Sequence, residues 1–357
     1  AADRCPAGAT RMSEDVIPEA DAEPGLAHPR HVHTLFGHEA EEEAAAAAIA
    51  SGRMHHAWMI CGPKGGGKAT LAWRMARRLL GAAADPARPL AHRADDPVCK
   101  RIEALSHPDL LLIRRPYDDK RGKLKGEIPI DEARRVPGFF SRSAAEGGWR
   151  VTIVDSADEM NNNAANGLLK ILEEPPQRGV LILVVTSPGR LLPTIRSRCR
   201  KLVLRPQDPD ACARWLSSEH GLGTEEARSA SQMALGAPGR ALAFATSGAA
   251  RLHDDLQAAL RGLPRLDRNA VGRLVASATT RDAEARRAVL FDMISAEAAS
   301  RAKTAARSGD HDAAGQWASA SQAVTSLARE AETLYLDPKQ TLLAAFTLLE
   351  DAARQPA

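Results

Sequence analysis

Aromatic residues make up only 4% of the 357-residue chain, and the five cysteines, Cys5, Cys61, Cys99, Cys199 and Cys212, stand singly with no CxxC among them. Few aromatics beside 44% hydrophobic residues, carried by alanine and leucine, favour helices and argue against a large β-sandwich. An odd number of scattered cysteines excludes a disulfide framework and a four-cysteine zinc site, leaving reduced thiols as the expectation. Apolar runs are short as well. Val180 to Val185 is strand-sized, far below the roughly 20 residues that span a bilayer. Neither sign of charge dominates: 48 Lys+Arg against 45 Asp+Glu give +3, which excludes a basic tail that coats nucleic acid. No basic start followed by an apolar segment marks a secretory signal. These absences lead to the expectation of a cytoplasmic protein with no membrane segment.

The chain is too long for one compact core and is read as several domains. Residues 1–27 are rich in Ala, Asp, Glu, Pro and Gly without apolar periodicity and are expected to form a disordered tail. The first methionine is Met12, so an upstream extension is part of that expectation. From residue 28 to 205, strand and helix signals alternate, as in a parallel sheet wrapped by helices. Strands are expected at Ala57–Cys61, Leu110–Ile113, Trp149–Val154, Val180–Val185 and Lys201–Leu204. Helices are expected over Leu35–Ala50, after Lys68, from Asp131 as an N-cap, over Asn163–Glu174, and near Pro193. Arg114–Glu127 reads as a charged loop. Residues 206–246 read as a small helical domain and 247–357 as an all-helical one.

Three motifs carry chemistry. The first is Gly62-x-x-x-x-Gly67-Lys68-Ala69-Thr70, with Gly65 inside it, between a strand and a helix. Glycines there let backbone N–H groups reach phosphate oxygens, and the lysine and helix N-terminus add positive charge. The residue after the lysine should supply a magnesium-binding hydroxyl, but it is Ala69, and Thr70 lies about 100° further around the helix. The loop is therefore a degenerate nucleotide site, which either still binds ATP or ADP or merely turns the chain. The second motif is Val151-Thr152-Ile153-Val154-Asp155-Ser156. Asp155 suits a strand-end carboxylate that holds magnesium, or a plain solvated strand end, and Ser156 stands where a glutamate would orient the attacking water. Hydrolysis is expected to be slow or absent. The third motif is the basic run Arg196-Ser197-Arg198-Cys199-Arg200 between the last two strands.

Asp155-Ser156-Ala157-Asp158-Glu159-Met160-Asn161, Ala164-Ala165-Asn166-Gly167-Leu168-Leu169-Lys170-Ile171-Leu172-Glu173-Glu174-Pro175-Pro176 and Ser197-Arg198-Cys199 together resemble the bacterial clamp-loader subunits of the AAA+ class. Ser106-His107-Pro108-Asp109, Gly236-Ala237-Pro238-Gly239-Arg240 and Leu336-Asp337-Pro338-Lys339-Gln340 are similar to that family too. The resemblance implies an AAA+ (P-loop NTPase-like) α/β domain, a small helical lid and a helical collar. It implies a non-motor subunit of the DNA polymerase III clamp loader, in a hetero-pentameric ring with gamma or tau and delta, that helps place the sliding clamp on primer–template DNA. The alternative is an active ATPase motor of the gamma or tau kind. By the resemblance Arg198 is an arginine finger acting on a neighbour's ATP, Thr186 falls at a sensor position and Arg240 near a second sensor. Many members hold zinc with four cysteines after the P-loop helix. Here only Cys99 lies there, so no zinc is expected and no cofactor is required. No nucleotidyltransferase site is evident, and any polymerase activity would belong to the holoenzyme.

Overall fold

A computed structural model describes residues 18–23, 26–85, 88, 90–93, 95–246, 249–280 and 283–354. Its strands are β1 (Ala57–Cys61), β2 (Leu110–Ile113), β3 (Tyr117–Asp118), β4 (Lys123–Leu124), β5 (Arg150–Asp155), β6 (Gly179–Val185) and β7 (Arg200–Val203). Among them run α1 (Glu39–Ala50), α2 (Lys68–Leu79), α3 (Pro97–Glu103), α4 (Ile130–Ala133), α5 (Arg135–Phe140), α6 (Asn162–Glu173) and α7 (Pro193–Arg196).

Every residue of β1, β5 and β6 is buried. A strand covered on both faces reads as an unbroken apolar run, the mark of a parallel sheet. The main sheet is parallel throughout, in the order β2-β5-β6-β1-β7. Alternation then sorts side chains between two cores. Trp58, Ile60, Ile153 and Ile182 pack on one face with Leu71, Trp73 and Met75 of α2. Met59, Cys61, Val154 and Leu183 pack on the other with Leu168 and Leu172 of α6. The carboxyl ends of all five strands therefore lie along one edge, beside the start of α2.

Four local features depart from expectation. Gly37 and His38 have φ of 66° and 72°, so α1 starts at Glu39 rather than Leu35. The charged stretch 114–127 contains the antiparallel β3–β4 hairpin. The fourth helix starts at Ile130 with Pro129 as N-cap, and Asp131 sits in its first turn facing Arg134 at 3.3 Å; proline's fixed φ already suits a helix entry. Helix α6 is capped by Asn161, whose side chain accepts from the Ala164 N–H at 2.9 Å.

Residues 1–17, 24 and 25 of the expected tail lie outside the described residues. Residues 18–23 are docked. Glu19 pairs with Arg30 (2.6 Å) and Arg114 (2.8 Å), and Asp21 pairs with Arg114 and with His28 Nε2 (3.0 Å). Acidic residues read as solvated in a composition become anchored when a fold sets arginines opposite them.

Beyond the sheet come α8 (Pro209–His220), α9 (Thr224–Met233), α10 (Pro238–Thr246), α11 (Ala249–Leu260), α12 (Arg268–Ala278), α13 (Glu284–Arg307), α14 (His311–Leu334) and α15 (Pro338–Arg354). One apolar cluster runs through them from Cys212, Leu216 and Phe244 to Leu290, Ile294, Phe346 and Leu349. No helix among the described residues is long and apolar enough to cross a membrane.

Candidate nucleotide site and the exposed arginine turn

The glycine loop leaves β1 and is hooked to β6 by the Gly62 N–H donating to Val185 O at 3.3 Å. Gly65 and Gly67 have φ of +71° and +86°, a region that costs an L side chain about 1–2 kcal/mol. At Gly65 a Cβ would also collide with the backbone of Arg240. Lys68 opens α2, followed by Ala69 and Thr70. Asp155 ends β5 and Thr186 follows β6, so the structure brings the loop, Lys68, Asp155 and Thr186 to the carboxyl edge of the sheet.

The charged groups there are turned inward. Lys68 is buried and its Nζ donates to Pro63 O of its own loop at 2.7 Å. Burial lowers its pKa, opposed by the charges of Asp155 and Asp158. Asp155 is buried and accepts from Ser156 Oγ at 3.1 Å. Burial raises its pKa, and Asp21 in the docked N-terminal segment pushes the same way while Lys68 opposes both. Asp158 holds the backbone N–H groups of Thr186 (3.0 Å) and Ser187 (2.9 Å), and Glu159 pairs with Arg115 at 2.8 Å. Neither carboxylate is placed to stand in for the glutamate missing at Ser156.

Two helical elements close on the loop. The Gly239 N–H donates to Gly65 O at 2.8 Å, laying the start of α10 against it. Arg240 reaches past the loop and donates to Asp292 O of α13 at 2.7 Å. Lys64 Nζ meets Asp292 Oδ2 at 3.1 Å and Glu23 at 3.4 Å. Asp21, Glu23 and Asp292 carry no local sequence signal, because each meets the site only through tertiary folding. Asp158 stands in the run Asp155 to Asn161 that carries the resemblance, and its role as a backbone clamp has no local sequence signal. The residues present do not fit a nucleotide-bound magnesium ion: the hydroxyl is missing, the lysine is occupied by its own loop, and Asp155 is a buried carboxylate that burial and Asp21 push toward its protonated form.

Arg198 lies apart from this site. It follows α7, with Nη2 3.0 Å from Glu173 Oε1 at the end of α6 and Nη1 donating to Thr194 O at 3.0 Å. Its side chain keeps 36% of its exposure. Arg196 on the same turn is exposed.

Where the family's zinc module would fall, packing and a buried polar chain hold the region. The Cys99 thiol is buried in α3 and pushed up to about 11 by that burial. His92 Nε2 lies 3.1 Å from His33 Nδ1, and His33 Nε2 lies 2.8 Å from Glu103. No three His, Cys, Asp or Glu side chains among the described residues are arranged to hold a metal. Burial, aided by the neighbouring Arg77, His33 and Arg74, lowers His92 from 6.5 to about 4. The unfolded chain therefore takes up this proton first. The stabilisation is complete above about pH 6.5 and is lost as pH falls toward 4, on the order of 2 kcal/mol. His92→Gln is expected to flatten this slope in urea titrations between pH 6.5 and 4.5; parallel slopes for the two proteins would remove His92 as its cause.

A glycine loop between strand and helix, an acid-ended neighbouring strand and a parallel sheet with helical elements closing over the loop make up a P-loop-type α/β fold. Residues 37–208, just under half of the chain, match the family described as "DNA polymerase III, delta subunit". It is similar to "DNA polymerase III subunit delta'" of Pseudomonas aeruginosa, 37% identical over 164 residues covering 45% of this chain and 47% of that one. It is also similar to the protein of the same name in Escherichia coli, 34% identical over 200 residues, 56% and 57% of the two chains. The chain thus spans about half the length of these relatives. "DNA polymerase III subunit tau" of Escherichia coli is 29% identical over 197 residues, 55% of this chain and 28% of that one. Among solved structures, a gamma subunit-related protein of Thermotoga maritima superposes with a TM-score of 0.43 at 17% identity, over 88% of this chain and 99% of that one.

Proposed function

We propose that this chain is the delta-prime subunit of a DNA polymerase III clamp loader: a non-motor subunit that sits with gamma or tau and delta in a five-membered ring and helps load the sliding clamp on primed DNA. One observation carries the reading. Ala69, Ser156 and the inward-turned Lys68 leave the chain without hydrolytic machinery of its own, while Arg198 stays partly exposed. A guanidinium is planar, permanently charged and able to grip two phosphate oxygens, which suits it to charge that builds on a neighbour's ATP during phosphoryl transfer. In this account residues 28–205 are the AAA+ domain, 206–246 the lid and 247–357 the collar. No zinc or other cofactor is required, and a nucleotide at the degenerate loop would be structural rather than turned over.

The test is co-expression with gamma or tau and delta, followed by size measurement and a clamp-loading assay on primed DNA. The expected result is one stable complex that loads the clamp only when this chain is present. Full loading by gamma or tau and delta without it would contradict the proposal.

A further inference from the structure

The amino ends of the strands form the edge opposite the nucleotide site. With β6 seven residues long, the two edges stand about 20 Å apart. On this far edge a groove of about 530 Å³ is lined by Arg53, His55, His56, Trp149, Arg178 and Arg200, among others. The parallel sheet collects them: residues 53–56 lead into β1, Trp149 into β5 and Arg178 into β6, while Arg200 opens β7. Among the described residues no carboxylate lines the groove. Among the described residues none of the three arginines has an acidic side chain within 4.0 Å. Glu173, two residues before the lining prolines, is committed to Arg198, and Glu174 directly before them is exposed and does not line the groove.

Unpaired positive charge in a concavity is usually dispersed or neutralised by the protein itself; here it is held in place. Arg178 Nη1 donates to Gly147 O at 3.0 Å, leaving its other nitrogens for a ligand. The Arg200 guanidinium lies 4.7 Å over the Trp58 ring, whose Nε1–H donates to His55 O at 3.0 Å. His56 donates from Nε2 to Leu172 O at 3.2 Å and stacks on His55 with ring centroids 4.4 Å apart. Fixed cations beside flat rings match a phosphate joined to a planar base better than a bare carboxylate surface, which would use the charge but not the rings.

We infer that this groove binds single-stranded nucleic acid, with Arg53, Arg178 and Arg200 on backbone phosphates and Trp149 and the imidazole pair beside a base. The site is separate from the nucleotide loop and does not depend on the role proposed for Arg198.

The experiment measures fluorescence anisotropy of a labelled 20-nucleotide thymidine strand with the full chain from 50 to 200 mM salt. Arg53→Ala/Arg178→Ala is the test variant, because Arg200 also packs on the buried Trp58. Arg307→Ala, an exposed arginine on α13, is the control. Each phosphate contact on a single strand contributes about 0.7 to the slope of log K against log salt. The double variant is therefore expected to weaken binding at least about tenfold at 50 mM and to lower the slope by about 1.4, with circular dichroism unchanged and the control like the parent. Trp149→Phe is expected to retain binding and Trp149→Ala to weaken it. Failure of the parent to bind the strand at 50 mM salt would overturn the inference, as would equal loss in the Arg307→Ala control. ATP displacing the strand at comparable concentration would mark a mononucleotide site instead. Polyglutamate binding that is lost in the double variant, without strand binding, would mark an acidic protein surface.

Discussion

Arg198→Ala is expected to leave folding and ring assembly intact and to lower the DNA- and clamp-stimulated ATPase of the reconstituted complex. The side chain is partly exposed and, among the described residues, makes two polar contacts, with Glu173 and with Thr194 O of its own turn. A half-exposed ion pair is worth less than about 1 kcal/mol, so the fold does not depend on it. Loss of an arginine finger costs roughly 10³–10⁵ in rate at the site it serves. If the proposed ring holds other sites with arginines of their own, total ATPase should fall only in part and clamp loading should fall further. Glu173→Gln separates the resting contact from the trans role: it frees Arg198 without removing it and should preserve loading. Arg196→Ala on the same exposed turn controls for loss of charge. If Arg196→Ala and Arg198→Ala act alike, Arg198 is one member of a basic face and no finger.

Ending the chain at Thr246 should have the second large effect. The sheet domain keeps both of its own cores, one built around Trp58 and Trp73 and the other around Leu168 and Leu183. Helices α8–α10 do not. Leu216 and Phe244 share one cluster with Leu290, Ile294, Phe346 and Leu349, and exposing each such side chain costs about 1.5–3 kcal/mol. The cut also removes Asp292, the partner of both Lys64 and Arg240. Limited proteolysis is expected to digest residues 206–246 while 28–205 resist, and the shortened chain should fail to join the complex. Its entry at full occupancy would place the main interface elsewhere.

The strands and the glycine loop were legible in the sequence for a physical reason. A parallel strand buried on both faces must be apolar at every position, so Val180 to Val185 stands out without an alignment. The loop is equally plain, because Gly65 and Gly67 occupy backbone conformations that other residues resist. Elements held by distant partners were not legible. The β3–β4 hairpin lies in a charged stretch whose composition is that of a loop. Glu19 and Asp21 look like tail residues until Arg114 is folded opposite them, 95 and 93 residues away. Arg240 was assigned to the site by motif, and its backbone does lie against Gly65, but its guanidinium reaches α13. That direction follows from where Asp292 is placed and cannot be read from the residues around Arg240.

As proposed, this chain supplies chemistry to a neighbour and performs none at its own loop. Steady-state ATP turnover by the purified chain alone, compared with Lys68→Ala, tests it most directly. Ala69 and Ser156 remove the metal hydroxyl and the water-orienting carboxylate, and Lys68 is bonded to Pro63 O, so no turnover that depends on Lys68 is expected. Turnover of about 1 per second, at the low end for enzymes, that disappears in Lys68→Ala would contradict it and make the chain a motor.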